Sequence, residues 1–340
     1  MMSMPPLHQL RPLARRILQS VWLILLLIAL NFMLIHLAPG DPVHLLAGQS
    51  GDERYFAFIR EKFGLDQPLT AQLWKYLLNI ARGDFGYSLA YQQPVLGLVL
   101  SRAPATLLLM TAALMISSAG GILLGVEASR RQGSLFDRAV TAFASVSDAI
   151  PSFCLGQVAL IIFALWLNLF PAQGMISAGR EMSGAELWLD VLSHLALPAL
   201  TLACVQMALL VRLTRTQMAQ VLSEEFIAAA RARGVGERRI AYRHALRNAM
   251  LTIITIIGSE AGMILSGAVL VETVFAWPGL GRMMIDAIAL RDYPVLLGLA
   301  LLVSIGVIVA NLITDLAYTM LDPRINPGGG RSIRTAGDSA

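Results

Sequence analysis

The sequence predicts an all-α polytopic membrane protein with six transmembrane helices. Three observations carry this reading. Hydrophobic residues make up 56% of the 340-residue chain and charged residues only 14%, with a mean hydropathy of +0.66; average soluble domains are far more polar. The apolar residues gather in runs of about 20, the length that crosses a hydrocarbon core as a helix. Seventeen of the 26 lysines and arginines fall at the N-terminus, at 130–138, at 212–247 and in the tail, so positive charge alternates from one side to the other.

Arg11, Arg15 and Arg16 precede an apolar run from 17 to about 37. A basic front before an apolar stretch is also the pattern of a signal peptide. The run exceeds the ~7–15 residues of a signal-peptide core, however, and so reads as an uncleaved first span. About sixty mostly polar residues follow, from 38 to 98, with GDP at 40–42, FGLDQPL at 63–69 and GDFGYS at 83–88 as turn and helix-start signals. The second span, 103 to about 126, begins at Pro104 and contains Gly121-x-x-x-Gly125, a spacing that lets helices approach closely. Arg130, Arg131 and Arg138 bracket a short loop. The third span runs from about 139 to 169, long enough to tilt or to kink at Pro151.

A loop over 171–194 carries Arg180, Glu181, Glu186 and Asp190 before the fourth span, 195–211. The fifth span covers about 250–271, with Gly258-x-x-x-Gly262 inside it, and the sixth about 295–318. The chain thus divides into an N-terminal part (1–98), a five-span core (99–320) and a glycine- and arginine-containing tail (321–340) that reads as disordered. The positive-inside rule puts both termini and the 212–247 segment in the cytoplasm.

Between the fourth and fifth spans lies EEFIAAARARGVGERRIAYRHALRN, residues 224–248. Acids at its front and arginines behind suit the helix dipole. Gly234 is the residue type that ends a helix, and 237–248 restarts as a second one. Ala228, Ala229 and Ala230 are small enough for a partner to come close. Ala228-Ala229-Ala230-x-x-x-Gly234 resembles the EAA loop of ATP-binding-cassette importer permeases. The family's glutamate position is Ala228 here, and its later Ile-x-Leu-Pro reads His244-Ala245-Leu246-Arg247, which resembles the dipeptide, oligopeptide and nickel branch.

The resemblance implies the MetI-like fold of a type I importer permease in a bacterial inner membrane. It implies that Glu225, Ala228, Ala229, Ala230, Arg231, Gly234, His244 and Arg247 meet an ATPase subunit. Two such ATPases would bind the ATP and Mg, this chain holding no cofactor or metal of its own. A second permease (as a heterodimer), an extracytoplasmic substrate-binding protein and membrane lipid complete the expected partners. The stretch ETVFAWPGLGRMMIDAIALRDYP, 272–294, is a turn with an interfacial aromatic on composition alone. It also resembles the ETxFxWPGLG…RDYP signature of peptide-type permeases, which implies that Glu272, Trp277, Pro278, Gly279, Gly281 and Asp292 sit at the periplasmic mouth.

Other chemistry is missing. The chain has two lysines, Lys62 and Lys75, neither after a glycine, so it has no phosphate-binding P-loop and any ATPase is a separate subunit. Five scattered histidines form no His-Glu-x-x-His pattern, and Gly-x-Ser-x-Gly is absent, which argues against a hydrolase. Cys154 and Cys204 lie in apolar runs as small buried side chains, and the arginines fall in loops between spans rather than in a nucleic-acid-binding patch.

Asp148, Glu260 and Asp315 sit inside apolar runs, where an acid costs ~2.5–3.5 kcal/mol at a helix centre. Asp148 and Glu260 either line a polar translocation path or pair for packing; packing is favoured for Asp315. No basic residue lies mid-span as an evident partner. The expected function is passage of di- or oligopeptides, or a related solute such as nickel, through an ATP-driven importer. Two alternatives are an ion-gradient-driven secondary transporter, for which the sequence shows no internal repeat, and a non-transporting scaffold.

Overall fold

The fold was read from a computed structural model, which describes residues 7–37, 41–47, 52–88, 90–179 and 181–321; side chains at 7–15, 44, 45, 47, 259–266, 310, 311 and 313–321 fall outside the description. The chain is helical nearly throughout. Helix α1 (Leu7–Leu37) leads to three shorter helices, α2 (Pro42–Ala47), α3 (Glu53–Phe63) and α4 (Leu69–Ala81), and to a small antiparallel hairpin of β1 (Tyr87–Ser88) and β2 (Gln93–Pro94). Next come α5 (Val95–Arg130), α6 (Leu135–Ala149), α7 (Ser152–Ala159) with a π-helical continuation over Leu160–Trp166, and α8 (Gly184–Leu222). The short α9 (Glu225–Ala232) and α10 (Glu237–Arg239) precede a π-helical turn, Ile240–Ala245, which runs on into α11 (Leu246–Val274); α12 (Leu280–Leu290) and α13 (Tyr293–Leu321) close the fold.

Of the expected spans, the first, second and fourth are single helices long and apolar enough to cross a membrane: Arg16–Leu37, Val95–Arg130 and Gly184–Leu222. Both α11 and α13 have 29 residues and cover the fifth and sixth expected positions. The third differs from expectation. It is a bent pair, Leu135–Ala149 and Ser152–Trp166, with 107° between its halves. A proline inside a continuous helix bends it far less; here Ile150 is extended (φ −92°, ψ 125°), so Pro151 starts a new helix rather than kinking an old one.

Boundaries shift as well. Helix α5 begins eight residues before the expected start and carries Pro104 in its interior. Nearly half of the loop expected at 171–194 belongs to α8, and nearly half of that expected at 272–294 is α12. The segment 237–248 is no separate helix but the foot of α11. The tail expected to be disordered lies outside the described residues beyond Leu321.

Parallel packing of α5 on α8 forms the centre of the bundle. Ser117, Gly121 and Gly125 face Gln206, Leu210 and Thr214 at a constant offset of 89 residues. A Cβ built on Gly121 would stand 2.5 Å from Leu210 Cβ, and one on Gly125 would stand 2.6 Å from Thr214 Cβ. The Gly121-x-x-x-Gly125 spacing therefore does what it predicts. Towards the start of α5, Ala105, Leu109 and Ala113 continue the seam into a core of Leu195, Leu202, Val271, Phe275 and Trp277.

The N-terminal part packs on α13 through a second core around Ile28, Phe32, Ile59, Phe63 and Leu301, and Asn31 Nδ2 donates to Leu297 O at 3.0 Å. The sequence signals there are joints. Gly64 of FGLDQPL takes a left-handed conformation (φ 64°) to end α3, and Pro68 opens α4.

Candidate functional site

Helix α9 lies at the arginine-rich end of the bundle, where α5 and α8 terminate. Its sequence is amphipathic over two turns. Ile227 (0% exposed) and Ala230 (4%) are buried, together with Val126, Met218, Ile240, Ala241 and Ala245. Glu225, Phe226, Ala228, Ala229 and Arg231 are exposed. Sequence reasoning grouped the three alanines as one contact surface; 3.6-residue periodicity separates them, turning Ala230 into the core.

The end of α9 is a Schellman motif, in which Val235 N–H donates to Ala230 O at 3.2 Å and Gly234 N–H to Arg231 O at 2.9 Å. Gly234 has φ 75° with nothing within 4 Å of its missing Cβ, so glycine is needed for conformation and not for space. Across the turn, Arg231 Nε donates to Glu237 Oε1 at 2.8 Å, and the guanidinium holds the Glu237 carboxyl below the usual carboxylate range. His244 is half-buried on the π-helical turn and Arg247 is exposed one turn further on. The α9 surface is thus tied to the foot of α11 through this turn and ion pair.

Asp148 has a partner that the sequence did not suggest. Arg212 NH2 donates to Asp148 Oδ2 at 3.0 Å, with the two side chains 39% and 53% exposed. Asp148 thus pairs with the first arginine of the 212–247 segment, just beyond the expected fourth span. By the 89-residue offset, Arg212 is level with about residue 123 of α5, some seven residues and therefore ~10 Å inward from Arg130.

A second pair went unnoticed in the sequence. Buried Asp137 (4% exposed) accepts from Arg215 Nε at 2.6 Å and from Arg215 NH2 at 2.8 Å. It also accepts from Gly133 N–H at 2.9 Å. Its sequence signal was Ser134-x-x-Asp137, a capping-box spacing, with Ser134 Oγ accepting from Asp137 N–H. The two aspartates are eleven residues apart on α6, yet their arginines are three apart on α8, so α6 crosses α8 obliquely. Glu260 lies on α11, but its side chain is outside the described residues.

At the opposite end, the 272–294 signature folds inward. Glu272 (0% exposed) accepts from Thr106 Oγ1 at 2.6 Å, from Gly281 N–H at 2.7 Å and from Arg282 N–H at 3.1 Å. Leu280 N–H donates to Thr106 Oγ1 at 2.8 Å. The first turn of α12 is therefore capped by side chains from α11 and α5, because its own N-cap, Gly279, has none to offer. Trp277 (0% exposed) donates through Nε1 to Ala105 O at 2.8 Å, Gly279 and Gly281 are buried, and Pro278 is half-buried. Asp292 (5% exposed) accepts from Ser88 Oγ at 2.5 Å, joining GDFGYS to RDYP. Most of these side chains build this end of the bundle from within; what they present outward is the exposed end of α12, Ile288–Arg291. Among the described residues, no group of His, Cys, Asp and Glu is placed to hold a metal ion.

Residues 117–327 match the family described as binding-protein-dependent transport system inner membrane component, and 9–110 match its N-terminal companion. The dipeptide transport system permease protein of Escherichia coli K12 is 38% identical over 315 residues, 87% of this chain and 93% of that one. The glutathione transport system permease protein of Salmonella typhimurium LT2 is 36% identical over 311 residues, 92% and 97% of the two chains. Among solved structures, an inward-facing MetNI methionine ABC transporter aligns with a TM-score of 0.52 at 15% identity, covering 66% of this chain and 96% of that one. At that identity it shows the fold alone, which is MetI-like.

Proposed function

The chain belongs to the binding-protein-dependent transport system inner membrane components, as a peptide-type permease of ATP-binding-cassette importers, and from that premise we propose how it works. With a second permease it forms the path for di- or oligopeptides, or a related small solute such as nickel. Both termini and α9 face the cytoplasm, where separate ATPases holding ATP and Mg grip α9; a binding protein docks at the opposite end, over α12.

The observation that supports this best is α9 itself: two turns with an apolar face locked into the bundle and an exposed face of Glu225, Ala228, Ala229 and Arg231. An exposed helix laid in a partner's groove is a recurrent recognition mode. Closure of the ATPases would push the foot of α11 and shift the bundle between outward- and inward-open states.

A tag on this chain should co-purify an ATPase from the native membrane. Ala229→Trp should leave the permease at normal levels while lowering transport more than about tenfold, the effect of ~1.4 kcal/mol of lost contact. Ala230→Trp should instead lower the amount of folded protein, since overpacking costs ~1–3 kcal/mol. Full transport by the Ala229→Trp variant, or transport by this chain alone on an ion gradient, would overturn the coupling reading.

We assign the Asp148–Arg212 pair to the translocation path, on the strength of its half-exposed charges beside the break in the third span. As a half-exposed pair it contributes at most ~1 kcal/mol to stability. Asp148→Asn should accordingly leave the melting temperature nearly unchanged while slowing peptide uptake. Unchanged uptake would remove Asp148 from the translocation path.

A further inference from the structure

We propose that the cavity between the end of α5, the end of α8 and the α9–α10 turn binds a phosphate-type anion. It is a half-open cleft of about 380 Å³, within the ~300–1,000 Å³ of small-ligand sites. Two guanidiniums line it from different elements, Arg130 on α5 and Arg231 on α9, alongside Ser129, Gln132 and Ser223. Ser129 is only 6% exposed, and its hydroxyl has no protein partner. Arg130 Nε is likewise buried and unpartnered, although its NH1 donates to Glu127 at 2.6 Å. Buried polar groups are almost always satisfied, and two orphans on adjoining residues of the wall, both closed to solvent, are the groups a ligand atom would satisfy after a small shift of the wall.

The chemistry of the lining selects an anion. A guanidinium only donates, and its planar fork matches phosphate oxygens. The opposing carboxylates are already engaged: Glu237 accepts from Arg231 at 2.8 and 3.3 Å, and Glu127 from Arg130 and Arg131 at 2.6 Å each. Arg130 and Arg131 share Glu127 and Arg231 pairs with Glu237, so three guanidiniums face two carboxylates and leave one positive charge in excess around the cavity. An anion here would bridge α5 to α9 and stiffen the joint between the bundle and its ATPase-facing helix. That consequence rests on the coupling reading; the site itself does not. The ligand is either a free phosphate compound or a phospholipid headgroup, the cavity lying at the cytoplasmic ends of two spans.

Hydrogen–deuterium exchange on the complete transporter complex in nanodiscs tests the site. One arm uses phosphatidylcholine discs with sodium phosphate against sodium chloride at equal ionic strength. The other uses phosphatidylglycerol-containing discs without phosphate. At inorganic phosphate about ten times its dissociation constant, amides of 127–133 and 223–238 should exchange about tenfold more slowly. Protection in phosphatidylglycerol discs alone assigns the anion to a lipid headgroup. Ser129→Ala combined with Gln132→Ala, which keeps every charge, should reduce the protection to less than about twofold. Equal exchange under all conditions, or undiminished protection in that variant, would overturn the site. Loss of transport with protection retained would count against the permease mechanism and leave the anion site standing.

Discussion

Gly121→Leu should abolish the folded permease, giving little detergent-stable protein and no transport, whereas Gly120→Ala should be tolerated. The two glycines are adjacent, but their surroundings differ in kind. At Gly120 the nearest atoms to a built Cβ are Met207 Cε at 2.5 Å and Sδ at 2.9 Å, the far end of a flexible side chain that can swing aside. At Gly121 they are Leu210 Cβ at 2.5 Å, with Leu210 backbone C and Cα at 3.4 and 3.5 Å. No rotamer moves a Cβ or a backbone carbon, so the helices themselves would have to part.

Parting them is costly because one 89-residue offset holds at Ser117, Gly121 and Gly125 together. Relief at one position lifts the others out of contact, and close packing, rather than hydrophobicity, is what holds helices together in lipid. Overpacking costs ~1–3 kcal/mol for an added methylene or two, and a leucine adds more. Gly121→Ala should therefore be partly impaired, and Leu210→Ala should not rescue it, because alanine keeps the Cβ that the new methyl meets; Leu210→Gly, which removes that Cβ, should. Stable, active Gly121→Leu protein, assayed by size-exclusion profile and peptide uptake, would mean that α5 and α8 do not pack in this register.

What was legible in the chain beforehand divides by range. The apolar runs, the glycine spacing in α5 and the short helix that Gly234 terminates are local patterns, and each reads correctly because helical propensity and capping act within a few residues. Contacts across the sequence were not readable. Arg212 pairs with Asp148 across 64 residues and Arg215 with Asp137 across 78; nothing in the spacing of either arginine announces its aspartate. The 107° break failed for another reason. Apolar content stays high through Ile150–Pro151, so hydropathy is blind to a change of direction that only backbone dihedrals record. The 272–294 signature was placed at a mouth by resemblance, while its burial follows from Thr106 and Ala105, more than 160 residues earlier. Similar reasoning separates Ala230 from its neighbours: the run of three alanines is uniform in sequence, and the helix makes it two-faced.

Glu272→Ala should be among the most damaging single substitutions outside the α5–α8 seam, and Glu272→Gln should be mild. The carboxylate accepts from Thr106, Gly281 and Arg282 in a site closed to solvent. Alanine removes all three acceptor contacts and leaves a cavity. A buried donor without a partner costs ~1–3 kcal/mol, so the loss sums to several kcal/mol even after partial collapse.

Glutamine keeps the shape. Its oxygen can still accept from Gly281 and Arg282 and its amide can donate to Thr106 Oγ1, so the losses are the acceptor of the Thr106 hydroxyl, ~1 kcal/mol, and the charge–dipole contribution at the start of α12, ~0.3–1 kcal/mol. The contrast between the two variants separates hydrogen bonding from charge. Gly281→Ala should resemble Glu272→Ala, because its Cβ would stand 2.5 Å from Val269 Cα, a backbone atom that cannot yield.

The signature is then a device for starting a helix without a capping residue of its own. Glycines at 279 and 281 let the carboxylate reach the first turn, Trp277 pins the preceding turn to Ala105 O, and α12 emerges in a fixed direction. Proteolysis between 276 and 292 should become markedly faster in Glu272→Ala, with peptide uptake lost in parallel, while α9 stays protected. If that variant is cleaved no faster than the parent and transports normally, α12 is held by something other than Glu272.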